Sequence, residues 1–287
     1  MTAAPLELHR SHLLAGIDVR ERYVDAAGID TAVLEAGDGP SIVLLHGPGE
    51  SAVNWRWTMP DLMTTNRVIA PDLPAHGRSG TGDGRLDAQR AIAWLAAVVE
   101  ATCPEPPVIV GHVLGGAIAA RYAFAHPSRL RLLVLVDSLG LARFRPSLRF
   151  TLSFLRFASR PSERSYERFM DQCAYDREEL ARRMGDDWPT FVAYNLCLAR
   201  AENTKAAAQL FRAAGVPRIP ASELAGIDVP TTLIWGRQDR ALRLRVAERA
   251  SRRHEWGLHV IDAAADDPPR DQPAEFLRVL RAALQGD

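Results

Sequence analysis

Six short runs limit what this chain can fold into more than any other feature. They are SIVLLH (41–46), RVIAPD (67–72), PVIVGH (107–112), RLLVLVDS (131–138), TTLIWG (231–236) and LHVIDA (258–263). Each is apolar almost throughout. A strand with one wet face alternates apolar and polar residues, so unbroken apolar runs predict strands covered on both faces, the mark of a parallel sheet between helical layers. Helical patterns separate them. LDAQRAIAWLAAVVEATC (86–103) has apolar residues at helical spacing and stops before PEPP, LRVAERASRR (243–253) follows the fifth run, and PAEFLRVLRAAL (273–284) closes the chain. Upstream, ERYVDAAG and TAVLEAG predict a hairpin broken at Gly28 and ended by GDGP.

The alternation stops after Gly140. Up to about Ile219 only helical text is found: FRPSLRFTLSFLRFASR, SERSYERFMDQCAY, DWPTFVAYNLCLARAEN and TKAAAQLFRAAG, punctuated by Pro161, Pro189 and Pro217. The domain expectation is therefore an α/β core from residues 1–139 and 223–287, with an all-helical insert over 140–222, of ordinary small-domain size. No internal repeat or low-complexity tract is present.

Composition excludes more than it assigns. Thirty-five basic and thirty-five acidic residues give a net charge of zero, which offers neither nucleic acid nor an anionic membrane a reason to bind. Lys205 is the only lysine, a composition effect from which no function follows. Cys103, Cys173 and Cys197 are odd in number and lack CxxC spacing, so neither a disulfide framework nor a metal site is expected. MTAAPLELHR has no apolar core of a signal peptide, and no run reaches the ~18–20 apolar residues that span a bilayer. A reduced, cytoplasmic compartment is the expectation, with no cofactor.

Four segments in order carry a resemblance: LLHGPGESAVNWRW (44–57), VIAPDLPAHGRSG (68–80), VIVGHVLGGAIAARYA (108–123) and LIWGRQD (233–239). From about residue 21 onward the chain resembles the α/β-hydrolase fold, in the branch whose helical cap follows the sixth strand. The resemblance implies a mostly parallel eight-stranded sheet flanked by helices, a cap, and a serine at the centre of a G-x-S-x-G turn. It also implies a triad histidine after the last strand, an acid after the seventh, and backbone oxyanion donors.

This sequence departs from that pattern three times. The turn is Gly111-His112-Val113-Leu114-Gly115, followed by Gly116, and valine cannot form an acyl-enzyme. A β-branched residue is also ill suited to the positive φ such an elbow implies. At the histidine position stands Asp266, in ADDPPRDQP; the last histidine, His259, falls inside the preceding strand. Pro48, after His46-Gly47, has no N–H, and losing one oxyanion donor costs about 2.7–4 kcal/mol of transition-state stabilisation. Leu114 retains the other donor, and Gly49 could supply one if the loop is shifted. Only the acid, Asp239, matches. Ordinary serine hydrolysis is thus not expected.

Around these positions, His46, Asp72 and His76 are expected to fix loops, His112 to pack, and Trp55 and Trp57 to open the first core helix as packing residues. Pro48, Gly49, Val113, Leu114 and Ser138 are expected to line a ligand site, with Ser138 the one hydroxyl that could act as a displaced nucleophile. Arg143, Arg145, Arg149 and Arg156 read as a solvated cap face, or less readily as receivers of an acidic substrate. Asp239 reads either as a carboxylate held by backbone, Arg237 or Arg240, or as a catalytic group sharing a proton with Asp266; the plainer role for Asp266 is to cap the DDPP loop in water. Three functional readings follow: a non-hydrolytic or atypical enzyme acting on an apolar small molecule between core and cap, a catalytically silent protein that binds a small ligand or a protein partner, and a hydrolase using a displaced or water-activating site.

Overall fold

The computed structural model describes residues 3–285. Eight strands form one sheet: β1 (Arg20–Asp25), β2 (Asp30–Ala36), β3 (Ser41–Leu45), β4 (Arg67–Pro71), β5 (Val108–His112), β6 (Leu132–Val136), β7 (Thr231–Gly236) and β8 (Gly257–Ile261), in the order β1-β2-β4-β3-β5-β6-β7-β8. The β1–β2 hairpin and the β2–β4 pair are antiparallel; the remaining pairs are parallel. The central strands β3, β5 and β6 are buried at every position, as their unbroken apolar runs require. Successive residues serve opposite layers. Val43, Leu45, Ile109, Leu133 and Leu135 face one core, whereas Ile42, Leu44, Val108, Val110 and Val134 face the other.

Thirteen α-helices surround the sheet among the described residues. They are α1 (Ala3–Leu13), α2 (Met59–Leu62), α3 (Ala88–Thr102), α4 (Leu114–Ala125), α5 (Leu148–Ser159), α6 (Glu163–Cys173), α7 (Arg177–Met184), α8 (Asp187–Ala199), α9 (Thr204–Leu210), α10 (Ala221–Ala225), α11 (Arg245–His254), α12 (Pro268–Asp271) and α13 (Pro273–Gln285). Helices α3, α4 and α11 cover one face with Trp94, Ile118 and Ala247; α2 and α13 cover the other with Met59 and Phe276. Asp87 caps α3 by accepting from the Arg90 N–H. Trp55 and Trp57 lie on a 3₁₀ turn, Ala52–Trp57, rather than on an α-helix. Trp55 is buried as expected, whereas half-buried Trp57 lies beneath the guanidinium groups of Arg56 and Arg183.

Between β6 and β7 the chain is helical, from α5 through α9, and then closes in a π-helical turn at Phe211–Gly215. Helices α6, α7 and α8 build a separate apolar cluster from Tyr166, Met170, Leu180, Phe191 and Val192. No helix among the described residues is long and apolar enough to cross a membrane.

Helix α1, whose polar text gave no helix expectation, ties this cluster to the core. Leu13 enters the cap cluster, and buried Arg10 pairs with Asp72 at 3.2 Å and Glu21 at 2.8 Å while donating to the Tyr194 hydroxyl at 3.1 Å. Asp72 also accepts from the N–H groups of Ala52 and Arg78, so one buried carboxylate anchors three segments. Breaking a buried ion pair by removing one partner typically costs 3–5 kcal/mol. Arg10→Ala is therefore expected to lower the unfolding free energy by about that amount in urea denaturation, and an effect under about 1 kcal/mol would show that α1 is merely apposed.

Candidate active site

The β5–α4 elbow is present, with valine at its tip. Val113 has φ +46° and ψ −100°, a left-handed conformation unusual for a β-branched residue. The geometry is imposed from outside. Val113 N–H donates to the Val136 carbonyl at 3.0 Å, and the Val113 carbonyl accepts from Leu139 N–H at 3.1 Å. A side chain at Gly111 would bring its Cβ within 2.6 Å of the Gly115 carbonyl oxygen, and one at Gly116 within 2.7 Å of Ser138 Cβ. The strand and helix meet this closely only because those positions are glycine.

The lining expectations fare differently. Leu114 is buried and touches the cap turn, its Cδ1 standing 3.1 Å from a Cβ built at Gly215. Val113 is half-buried and packs against the core on the α4 face of the sheet, as Phe144 and Phe211 do. Pro48 and Gly49 stand exposed at a turn, Gly49 with φ +75°. The Gly47 N–H behind them is taken by the Glu50 carboxylate at 2.7 Å. Ser138 cannot serve as a displaced nucleophile: its side chain is fully buried and its hydroxyl donates to the Leu139 carbonyl at 2.9 Å.

His46 and His76 fix loops as expected. His46 lies against the Gly47 carbonyl and accepts from Leu73 N–H, and His76 lies against the Pro74 carbonyl. His112 does not merely pack. Its Nδ1 is 3.4 Å from Glu50, and its Nε2 donates to the Asp266 carbonyl at 2.6 Å, beside a crevice too narrow for water. Burial alone would push the His112 pKa down, but the charges of Glu50 and Asp267 outweigh it and carry it up to about 10. Burial opposes the Glu50 charge too, yet His112 draws its pKa down to about 2. The residue pattern held one clue to this pair: an acid five residues beyond the third strand, and a histidine next to the elbow.

Asp239 is held by backbone, accepting from Ala241 N–H at 2.6 Å and Leu242 N–H at 2.7 Å through Oδ1. The two arginines expected to hold it are engaged elsewhere: Arg237 pairs with Asp262, and Arg240 donates to the Ala174 carbonyl at 2.8 Å. The direct carboxyl partner of Asp239 is Asp137, fully buried at φ +40°, rather than Asp266. Asp239 Oδ2 is buried without a hydrogen-bond partner, and the Asp137 carboxyl accepts from Gly236 N–H at 3.1 Å. Burial, then the charge of Asp239, raise Asp137 well above the carboxylate range; burial raises Asp239 to about 6.

Asp266 does not cap its loop in water. Asp267 caps α12, accepting from the Arg270 N–H at 3.2 Å. The Asp266 carboxyl is largely buried, 3.5 Å from Arg270, and burial together with the nearby Asp239 charge raises it well above its usual range despite that arginine. Arg270 also pairs with Asp267 at 3.1 Å and Asp271 at 3.4 Å. The same loop is fastened to the cap. The Cys173 carbonyl accepts from Asp266 N–H at 3.3 Å and from Arg270 at 3.2 Å, Tyr175 N–H donates to Asp271 at 2.9 Å, and Arg183 donates to the Arg270 and Asp271 carbonyls. A cleft of about 350 Å3, lined by Arg85, Lys205, Gln209, Arg212 and Ala213, lies on the solvent side of α9.

The His112–Glu50 pair sets a pH dependence. The His112 pKa lies above its ordinary 6.5, so its contribution is complete below that value and lost as pH rises through about 10; that of Glu50 is complete above 4.5 and lost as pH falls through about 2. Nuclear magnetic resonance at pH 8 is expected to find a charged His112 ring, which Glu50→Gln returns to neutral; a neutral ring in the parent chain would remove the pair.

The elbow generates a second expectation. Fluorophosphonate probes should leave the parent chain unlabelled, and Val113→Ser alone should restore little without a base. Val113→Ser with Asp266→His rebuilds a serine, histidine and acid set on Asp239 and should label. Labelling of the parent chain, abolished by replacing a hydroxyl residue, would contradict the assignment of Val113 to the nucleophile position.

Comparison with known proteins agrees with this geometry. The chain is 29% identical over 276 residues to a 2-hydroxy-6-oxo-2,4-heptadienoate hydrolase of Pseudomonas putida, covering 93% of this chain and 96% of that one. It is 38% identical over 125 residues to a 2-hydroxymuconate semialdehyde hydrolase of a Pseudomonas species, 42% of this chain and 44% of the other. A 2-hydroxy-6-oxo-6-phenylhexa-2,4-dienoate hydrolase from Rhodococcus superposes with a TM-score of 0.83 at 22% identity, covering 93% and 99% of the two chains, a likeness of fold. The model of the alpha/beta hydrolase family matches residues 42–279, and with the elbow, the sheet order and the cap this chain belongs to that family.

Proposed function

We propose that this protein is a non-hydrolytic member of its family, moving protons on a small, largely apolar molecule held between core and cap. One observation carries the reading: Asp137, Asp239 and Asp266 lie together behind the elbow, burial raises the pKa of all three, and the charge of Asp239 adds to the rise at Asp137 and Asp266. Raised carboxyl groups beside an elbow are candidates for general acid–base work. Asp266 is the most exposed of the three, with about 16% of its side-chain surface accessible, whereas Asp239 is 7% exposed and Asp137 fully buried. It would give or take the proton at the ligand, and Asp239 with Asp137 would tune its charge. Valine at the elbow leaves no acyl-enzyme route, so the chemistry falls to reactions that need proton transfer alone, such as tautomerisation, elimination or cyclisation.

The names of the relatives suggest the first compound to test. A 2-hydroxy-6-oxo-dienoate is an enol, and its conversion to the keto form moves a proton from oxygen to carbon without breaking a carbon–carbon bond. In deuterium oxide the parent chain is expected to speed loss of the dienol absorbance and to place deuterium on carbon, with no cleavage products, and Asp266→Asn to slow this at least ten-fold. Cleavage products from the parent chain would overturn the non-hydrolytic reading.

A second reading has its own support. The bonds from Asp266, Arg270 and Asp271 to Cys173, Tyr175 and Arg183 close the seam between cap and core beside the elbow. A site so closed suits a catalytically silent protein that holds its ligand. Binding of the dienoate with no isotope exchange, unchanged in Asp266→Asn, would favour it.

A further inference from the structure

The first cap helix, α5, has two apolar faces, and the aromatic one packs on α6. Phe157 stacks on Phe169 of α6 and Phe150 meets the same ring edge-on, both at 5.6 Å, and Phe157 meets Tyr166 at 5.4 Å. On the opposite side Leu148, Leu152 and Leu155, at i, i+4 and i+7, lie 73%, 58% and 55% exposed. A helix apolar on two sides is ordinarily buried on both. Three exposed leucines in one stripe form an apolar patch of the kind that marks an interaction site.

Charge identifies what covers it. Residues 138–162 contain five arginines, Arg143, Arg145, Arg149, Arg156 and Arg160, and not one acid. All five are exposed, and none is paired with a carboxylate among the described residues; the nearest ion pairs in the chain begin at Arg129 and Arg177. Arg149 and Arg156, seven residues apart, flank the leucine stripe on one side. The whole-chain charge of zero, from which no membrane partner was expected, conceals this local excess.

We propose that α5 docks the protein on an anionic lipid surface, lying in the plane of the headgroups with Leu148, Leu152 and Leu155 in the acyl boundary and the arginines on lipid phosphates. An apolar stripe beside a basic flank is the design of an interfacial helix, and each arginine near such a surface strengthens binding roughly five-fold. This is peripheral attachment and needs no spanning helix.

The full chain, mixed with vesicles of phosphatidylcholine and phosphatidylglycerol, is expected to float with them, to bind phosphatidylcholine alone weakly, and to release as salt rises. Leu152→Glu changes an exposed residue and should abolish flotation with the helical circular dichroism unchanged. Arg149→Gln with Arg156→Gln should weaken binding roughly twenty-fold while keeping the stripe. Failure of the parent chain to float on anionic vesicles overturns the proposal, as does flotation unaltered in both variants. Light scattering that finds a dimer which Leu152→Glu makes monomeric would also overturn it, since a second copy would then cover the stripe.

Discussion

The elbow at Val113 is held by the elements that meet there, and not by anything its own side chain does. The β5–β6 pairing fixes the Val113 N–H on Val136, the segment after β6 fixes its carbonyl, and the glycines at 111 and 116 let strand, helix and the Ser138 segment approach within contact. A β-branched residue at φ +46° costs of order 1–3 kcal/mol, and it persists because the surroundings over-determine the turn. The backbone of a sharp strand-to-helix turn is therefore kept with valine at its tip. Sheet order, cap attachment and the nearness of Asp137 and Asp239 all follow from the same crossing of β5, β6 and β7.

Much of this is legible in the sequence because the signals are local. Unbroken apolar runs mark the buried strands, and the observed boundaries differ from them by a residue or two. The helical text of 140–222 is equally plain, although α7 and the π-turn at Phe211–Gly215 leave no periodic trace of their own. Helix α1 is less visible, since Arg10, the residue that holds it, finds partners at Glu21, Asp72 and Tyr194 that only the folded chain assembles.

The site is only partly legible. That valine stands at the tip of the β5–α4 elbow and Asp266 in the loop after β8 can be read from short motifs. That His112 becomes a charged partner of Glu50 cannot, because it depends on β3 lying beside β5. The acid pair has the same origin. Sequence joins Asp239 with Asp266 by family position, whereas the parallel β6–β7 register brings Asp137 to Asp239 first. Asp267 takes the capping role that the pattern DDPP offers equally to its neighbour, because it directly precedes Pro268 at the start of α12.

Acid residues crowd the region behind the elbow, Asp266 among them. Glu50, Asp137, Asp239, Asp266, Asp267 and Asp271 lie around two cations, His112 and Arg270, and the sheet and cap exclude most water from them. Six carboxylates around two cations repel one another in a low-dielectric site, and burial with this repulsion raises the pKa values of Asp137 and Asp266 well above the usual carboxylate range. Glu50 stays ionised because His112 faces it, and Asp271 accepts N–H groups from Ala265 and Tyr175. A serine hydrolase keeps its mobile proton on an imidazole between hydroxyl and carboxylate. In the function proposed above, the protons that move rest instead on carboxyl groups beneath the valine elbow, and transfer to a bound molecule is the chemistry such a store can perform.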